Sequence, residues 1–113
     1  MRWYLRSKIH LATVVEALVD YEGSIEIDED LLDAVGLHVG EKVLVCDMTN
    51  GERLETYVLR GARGSGRVCV NGAAALRIGA GHRVIIMGFE LSDTPVTPRK
   101  IVLDEKNRIT RRM

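Results

Sequence analysis

Four short stretches of the chain carry side chains whose types and spacing are suited to chemistry. They are Lys8–His10, Tyr21–Ser24, Arg53–Tyr57 and Asn71–Ala74. Side chains alternate between the two faces of a β-strand, so Lys8 and His10 would form a pair of potential cations on one face. A regular strand would likewise put Arg53 and Tyr57 on one face and Thr56 on the other. Taken alone, each stretch also fits an ordinary exposed strand or turn.

The elements that must position these residues are short, β-branched and separated by glycine, which is typical of a mainly β protein. Strands are predicted at Lys8–Val15, Ser24–Ile27, Lys42–Asp47, Arg53–Arg60, Arg67–Val70 and Arg83–Phe89, with a candidate edge strand at Lys100–Leu103. A short helix is predicted at Asp28–Val35, because acidic residues can cap its start and Gly36 can end it. Asn50–Gly51 predicts a hairpin turn and Ala73–Arg77 a brief helical turn. The pattern favours a small barrel or a sandwich without deciding between them.

Length and composition restrict the class of protein. A chain of 113 residues predicts a single domain spanning residues 1–113. Its 16 basic and 16 acidic residues balance, so no nucleic-acid partner is expected, and Arg108, Arg111 and Arg112 are predicted to form a solvated tail. Cys46 and Cys69 lack ligand-spaced neighbours, which predicts no metal site and two reduced, half-buried thiols. No membrane span or signal peptide is visible, so we expect a cytoplasmic protein without a membrane partner.

Taken together and in order, the four stretches resemble the aspartate 1-decarboxylase family over nearly the whole chain, weakening after about Phe89. The resemblance is carried by Lys8-Ile9-His10, Tyr21-Glu22-Gly23-Ser24, Thr49-Asn50-Gly51, Arg53, Thr56-Tyr57, Arg63-Gly64-Ser65, Asn71-Gly72-Ala73-Ala74-Ala75 and Val84-Ile85-Ile86-Met87. The intervals between these motifs match as well. The resemblance implies decarboxylation of L-aspartate to β-alanine and carbon dioxide, in pantothenate and coenzyme A biosynthesis.

The resemblance also implies a covalent cofactor, a pyruvoyl group made from Ser24, with no metal and no pyridoxal phosphate. The Ser24 hydroxyl would attack the Gly23 carbonyl, and elimination and hydrolysis would leave chains 1–23 (β chain) and 24–113 (α chain). Gly23 suits this step because a residue without Cβ can adopt strained backbone angles. By family similarity, Thr56 stabilises the oxyanion during self-cleavage. The pyruvoyl carbonyl would then form a Schiff base with the substrate amine.

Substrate-contacting residues and the assembly are implied in the same way. Tyr57 resembles the family's proton donor, and the planar guanidinium of Arg53 would bind a substrate carboxylate. The other implied binding residues are Lys8, His10, Asn71, Gly72, Ala73 and Ala74. The family fold is a small six-stranded double-psi β-barrel with one or two short helices, assembled as a homotetramer with active sites between subunits. A maturation helper protein is a further expected partner for some members, and residues 90–113 are expected to be a loosely ordered tail or an edge strand.

Three positions depart from the family pattern. Leu11 stands where a basic residue is common, Cys46 where some members carry a tryptophan near the substrate pocket, and His82 where an acidic residue often occupies a turn. The first two would alter the pocket lining or subunit contacts, and the third is expected to matter less. None removes a group that the implied chemistry requires.

Two other interpretations remain open at the level of sequence. A pyruvoyl decarboxylase for another amino acid, such as glutamate, would differ by one methylene, which changes binding by about 1–3 kcal/mol in an apolar pocket. A non-enzymatic small β-barrel used as a binding module would have no need for backbone cleavage at Gly23–Ser24. The state of that peptide bond therefore discriminates between the enzyme and the binding module.

Overall fold

The computed structural model describes residues 1–113 as a chain of nine strands with one α-helix and one 3-10 helix. The strands are β1 (Arg2–Thr13), β2 (Glu16–Leu18), β3 (Ser24–Asp28), β4 (Lys42–Asp47), β5 (Arg53–Gly61), β6 (Val68–Asn71), β7 (Arg83–Ser92), β8 (Arg99–Leu103) and β9 (Ile109–Arg112). The helix α1 spans Glu29–Val35, and the 3-10 helix spans Gly72–Leu76. The mainly β class predicted from the sequence is confirmed.

The strands form a closed barrel because β2, which follows directly after β1 in the chain, pairs with β6. Neighbours follow the order β2-β6-β3-β5-β4-β7-β1-β8-β9. Between β1 and β2 the Val15 N–H donates to the Val68 carbonyl at 2.9 Å, and β2 then pairs in parallel with β6. Six strands therefore surround the core when β1 and β2 are counted together as one bent strand. Closure removes the free edges of the barrel itself, and β9, which extends the sheet beyond β8, remains at an edge.

A hydrophobic core fills the barrel, and β-branched residues dominate it, as expected for strands that are buried on one face. Fully buried members include Ile9, Ile25, Val45, Val58 and Ile86, each from a different strand. Alternation along each strand is what sends these side chains inward and their neighbours outward. The core therefore fixes which face of each strand is available for a site.

Helix α1 covers one side of the core and has the ends that its sequence predicts. The Asp28 carboxylate caps the start by accepting a hydrogen bond from the Asp30 N–H at 2.8 Å. Gly36 ends the helix in the left-handed conformation, with φ of 74°. Leu32 and Val35 are buried beneath it. No helix of the chain has the length and apolar character needed to cross a membrane.

Strand β1 is longer than predicted and is interrupted by a bulge. It begins at Arg2 rather than Lys8, and its register with β7 shifts between Ile9 and Ala12. Leu11 lies in the bulge with a φ of 64°, an uncommon value for a residue with a side chain. The Arg83 guanidinium holds this conformation by donating to the Leu11 carbonyl from two nitrogens, at 2.7 and 3.1 Å.

Two alternatives were given for residues 90–113, a loosely ordered tail or an edge strand, and the structure has strands there, with β9 at the edge of the sheet. Strand β8 pairs in parallel with β1 and antiparallel with β9, which makes it an internal strand rather than an edge. Arg111 and Arg112 have exposed side chains, as predicted, but their backbone belongs to β9. Strand β9 was not predicted from the sequence, because its polar residues show no strand pattern and only the pairing with β8 identifies it.

Both cysteines are more buried than predicted. Cys46 is 7% exposed and Cys69 is fully buried, and both are free thiols. The prediction of half-buried thiols was therefore wrong. Burial follows from their strands, since Cys46 lies in the middle of the sheet in β4 and Cys69 lies in β6 between two neighbours.

Asn107 joins the C-terminal segment to two other parts of the barrel, which leads to a prediction. Its side chain accepts from the Thr13 N–H and donates to the Thr13 and Gly66 carbonyls, all at 2.7–2.8 Å, and its φ is 61°. Asn107→Gly keeps the backbone conformation and loses these bonds, so the free energy of unfolding should fall by about 2–3 kcal/mol. Asn107→Ala should cost about 1 kcal/mol more because alanine is strained at positive φ. Equal stability of wild type and Asn107→Gly in urea unfolding would contradict this.

Candidate active site

Ser24 begins β3 with its hydroxyl buried against Asn71. The two residues are register partners in the antiparallel pair of β3 and β6, and both are almost fully buried. The Asn71 side-chain amide donates to Ser24 Oγ at 3.0 Å. Ser24 is thus held at the end of a strand, where the chain turns, and its oxygen has a fixed position.

Cys69 sets the orientation of the Asn71 amide. Its Sγ lies 3.2 Å from Asn71 Oδ1 as a hydrogen-bond donor, so the amide nitrogen is left to face Ser24. Burial raises the pKa of the Cys69 thiol, which keeps it protonated and able to donate. Cys69 was not predicted from the sequence to belong to the site. The available signal was its position two residues before Asn71, on the same face of one strand.

Strand β6 holds the chain on both sides of the Gly23–Ser24 bond. It pairs in parallel with β2, which precedes that bond, and antiparallel with β3, which follows it. The connecting segment, residues 19–23, crosses the end of β6 and is exposed. The Gly23–Ser24 bond is therefore placed beside Asn71 by pairing on both sides.

Gly72 allows the connecting segment to approach the end of β6 closely. Its φ is 71°, and a Cβ there would lie 2.8 Å from the Gly23 Cα and 3.0 Å from the Tyr21 carbonyl oxygen. Glycine is required on both counts. Gly23 itself has no positive φ, and a Cβ there would meet nothing within 4 Å. The close approach in this region therefore falls on Gly72, and the suitability of Gly23 for self-cleavage stays a prediction.

A cavity of about 280 Å³ opens beside the Gly23–Ser24 bond. Its lining consists of Gly23, Leu54, Glu55, Thr56, Asn71, Ala73, Ala74 and Arg77. Most of the residues predicted for self-cleavage and backbone binding are thus brought together. Arg77 and Glu55 are charged residues of the lining that were not predicted, because nothing in their local pattern separates them from ordinary surface residues.

The turn between β4 and β5 supports the 3-10 helix that forms one wall of this cavity. The Asn50 side chain donates to the Arg77 carbonyl at 2.8 Å, just after that helix. The Arg77 guanidinium pairs with Glu52 at 2.9 Å. Asn50–Gly51 was predicted only as a hairpin turn, which it is, and its second role depends on the tertiary fold.

The other predicted residues lie outside this cavity, on the outer face of the barrel. Arg53 and Tyr57 share the outer face of β5, and Tyr57 is 40% exposed. Lys8 and His10 lie on β1, which is separated from β5 by β7 and β4. Three strand spacings correspond to about 14 Å. Within a single chain the predicted residues therefore form three separate groups: those at the cavity, those on β5 and those on β1.

His10 has an unusual electrostatic environment. Its Nδ1 is buried and has no hydrogen-bond partner within the chain. Burial lowers the pKa of the imidazole, and the positive charges of Lys8, Arg111 and Arg83 lower it further. The ring is thus biased toward its neutral form as long as no anion lies near it.

Two of the departures from the family pattern have clear structural surroundings. Cys46 is buried in β4 and does not line the cavity beside Ser24. His82 Nδ1 lies 2.6 Å from Asp47 Oδ2, and the other Asp47 oxygen accepts from the Thr49 N–H. His82 thus joins its turn to the β4–β5 turn, a connection that was not predicted from the sequence.

The remaining surface offers no competing site of the expected chemistry. Two larger grooves, of about 610 and 450 Å³, lie around Trp3 and Phe89 and around Asp28 and Asn107, and no predicted site residue lines either of them. No group of three or more His, Cys, Asp or Glu side chains is placed to hold a metal ion. The smaller cavity beside Ser24 is therefore the candidate active site.

Comparison with known proteins gives the family that the chain matches. A family model described as aspartate decarboxylase matches residues 1–110. The aspartate 1-decarboxylase of Thermotoga sp. (strain RQ2) is 54% identical over 106 residues, covering 94% of this chain and 93% of that protein. The aspartate 1-decarboxylase of Acetivibrio thermocellus is 49% identical over 109 residues, covering 93% and 86%.

A solved structure confirms the barrel type. The rationally designed protein mkDPBB_sym_86, a double-psi β-barrel, matches with a TM-score of 0.54, covering 72% of this chain and 95% of its own. Its sequence identity is 18%, so the similarity concerns the fold alone. The predicted double-psi β-barrel with one or two short helices is confirmed.

Two glycines with similar backbone angles give a matched test of the contact at Gly72. Gly51 has a φ of 79° with open space around it, whereas Gly72 has a φ of 71° and a Cβ added to it would lie 2.8–3.0 Å from backbone atoms. Gly51→Ala should lower the free energy of unfolding by about 1–2 kcal/mol through strain alone. Gly72→Ala should lose about 1–3 kcal/mol more, because the connecting segment must move. Thermal unfolding of both variants measures the difference, and equal losses would show that the contact costs nothing.

Proposed function

Because this chain belongs to the aspartate decarboxylase family, we propose that it converts L-aspartate to β-alanine and carbon dioxide after making a pyruvoyl group from its own Ser24. The observation that carries the proposal is the hydrogen bond from Asn71 to the buried Ser24 hydroxyl, beside a cavity at the Gly23–Ser24 bond. A structural serine would need neither the cavity nor an exposed connecting segment. A binding module has no use for this arrangement.

Self-cleavage begins with Ser24 Oγ and the Gly23 carbonyl carbon. Attack moves the Gly23 acyl group from the Ser24 nitrogen to its oxygen, and the proton of the hydroxyl passes to the released amine. Because Asn71 donates to Oγ, the hydroxyl proton points elsewhere and is free to leave. Thr56 lines the same cavity and supplies a hydroxyl donor for the oxyanion that forms on the Gly23 carbonyl oxygen.

The later steps complete the cofactor. Elimination releases Gly23 as a carboxylate and leaves a dehydroalanine at position 24, and water then replaces the nitrogen, which leaves as ammonia. The products are chains 1–23 and 24–113. They stay together without a covalent link, because β1 and β2 in the first chain pair with β7, β8 and β6 in the second.

The residues beside Ser24 fit a pyruvoyl group in size and polarity. Ala73 and Ala74 of the 3-10 helix also line the cavity, and their small side chains leave room for a ligand to reach backbone groups. When formed, the pyruvoyl group supplies a carbonyl that binds the substrate amine and withdraws electrons from the carbon that loses carbon dioxide. Asn71 remains in place to donate a hydrogen bond at that position.

The outward-facing residues complete the site in an assembly. Arg53 can bind a substrate carboxylate through two nitrogens, and Tyr57 can deliver the proton to the product carbon. Lys8 and His10 would add positive charge. Since these four lie on the outer face of one chain, we propose a homotetramer in which this face of one subunit meets the cavity of another. Glutamate as substrate stays an alternative that a direct assay decides.

Substitution of Ser24 tests the self-cleavage. Ser24→Ala should fold, remain a single chain and show no decarboxylation, because the group that attacks Gly23 is absent. Intact mass under denaturing conditions and β-alanine release measure the two effects. Ser7→Ala is the matched control, since Ser7 is also fully buried but lies away from the cavity and binds the Val35 carbonyl.

The control should yield chain 1–23 and a second chain that has lost ammonia. Decarboxylation by Ser24→Ala would refute the mechanism. An intact wild-type chain that stays intact after warming or incubation with cell extract would refute the assignment, whereas cleavage under those conditions would identify a slowly maturing or helper-dependent precursor.

Substitution of Tyr57 separates self-cleavage from turnover of the substrate. Tyr57→Phe should self-cleave normally, because Tyr57 is outside the cavity at the Gly23–Ser24 bond. Its kcat should fall by about 10²–10⁴-fold if the phenol delivers the proton. Tyr4→Phe, a half-buried tyrosine on β1, is the control and should change neither property. Normal turnover by Tyr57→Phe would assign the proton to another group.

A further inference from the structure

We propose that Arg111, on the C-terminal strand β9, completes a carboxylate-binding cluster with Lys8 and His10 and helps to recognise the side-chain carboxylate of the substrate. This inference rests on the proposed function and names an additional residue for it. We define the cationic cluster as Lys8, His10, Lys100 and Arg111. Its members come from three neighbouring strands, β1, β8 and β9.

Strand register places these residues on one face of the sheet. His10 is the partner of Val102 in the parallel pair of β1 and β8, and Val102 is the partner of Arg111 in the antiparallel pair of β8 and β9. Register partners point to the same side of a sheet. Lys8 and Lys100 are partners two residues away and therefore share that face.

The shape of this face suits a small ligand. His10 and Arg111 are two strand spacings apart, which corresponds to about 10 Å between their backbones. Val102 lies between them, is only 8% exposed and is shorter than either neighbour. The longer side chains of His10 and Arg111 extend past Val102 on both sides and can approach one small ligand. An arginine reaching across Val102 can present two nitrogens to a carboxylate.

The charge of the cluster is not neutralised within the chain. Lys8, Lys100 and Arg111 take part in none of the ion pairs of the structure, although Arg63 alone is paired with three acidic residues. The groups that face His10 from its own strand, from β7 and from β9 are Lys8, Arg83 and Arg111, all of them basic. Uncompensated like charges on one face are unfavourable, so an anion is the ligand that relieves them.

His10 supplies an independent sign of a missing partner. Its Nδ1 is buried and unpaired, and a buried polar atom without a hydrogen bond is costly. Burial, the main cause of the lowered pKa of His10, would remain, but a carboxylate bound beside Arg111 would offset the positive charges that lower this pKa further. It would favour protonation, which turns both ring nitrogens into donors. The aspartate side chain is a carboxylate of suitable size.

The cluster and the cavity beside Ser24 lie on different surfaces of one chain. The cluster of one copy must therefore serve the cavity of a neighbouring copy, as the proposed assembly allows. The pairing of β9 with β8 places Arg111 in line with Val102 and His10 across the three strands.

Arg111→Gln and Arg112→Gln form the test, because the two arginines are adjacent and face opposite sides of β9. Arg112 is the register partner of Ile101 and lies outside the row of His10. Arg111→Gln should raise the KM for aspartate by about 10-fold while kcat changes little and self-cleavage is complete by intact mass. Arg111→Lys should recover part of the loss, and Arg112→Gln should match wild type. An unchanged KM in Arg111→Gln, or the same increase in Arg112→Gln, would overturn the inference.

A second readout is independent of turnover. Succinate carries the same carboxylates without the amine, and its binding should raise the pKa of His10 in wild type, as followed by the imidazole signals in NMR. The shift should be lost in Arg111→Gln and kept in Arg112→Gln. If wild type binds succinate in this way but does not decarboxylate aspartate, the proposed function fails and the carboxylate site stands. A succinate-dependent shift that is equal in Arg111→Gln would overturn the site itself.

Discussion

The pairing of β6 with both β2 and β3 is the interaction on which the rest of the site depends. It holds the chain on both sides of the Gly23–Ser24 bond and brings Ser24 opposite Asn71. The segment between the two pairings can cross the end of β6 only because Gly72 has no side chain. One register therefore determines the position of the hydroxyl, its hydrogen-bond donor and the adjacent cavity. The same pairing would keep two cleaved chains in one barrel.

Polar groups around the site are positioned by partners that contact no ligand. Cys69 orients the amide of Asn71, and Asn50 holds the end of the 3-10 helix through the Arg77 carbonyl. Each partner satisfies a group that would otherwise be free to rotate or be left unpaired, so orientation and stability have the same source. The buried Asp47–His82 contact acts similarly between two turns. Such contacts explain how a small barrel with few large side chains can hold a defined cavity.

The immediate surroundings of Ser24 are uncharged, whereas the outer face of the sheet carries charged side chains. The groups at Ser24 are amide, hydroxyl and thiol, whereas Lys8, Arg53 and Arg111 are spread over the outside of the sheet. Charges cost less on an exposed face than in the core of a barrel, which accounts for the outward position of these cationic side chains. An enzyme of this family that needs both regions at one point has a physical reason to assemble from several copies.

Local patterns in the sequence were sufficient for most elements and for the family. Alternation determined the strands, and Asp28 and Gly36 determined the ends of the helix, because capping and periodicity act within a few residues. The four stretches taken together, and no one of them alone, were enough to indicate the family. Only the tertiary structure decided that Gly72 bears the close contact, that Cys69 orients Asn71, and that β9 forms and makes β8 an internal strand. Each of these depends on residues far apart in the chain, and their approach is set by barrel closure and register, which no local pattern encodes.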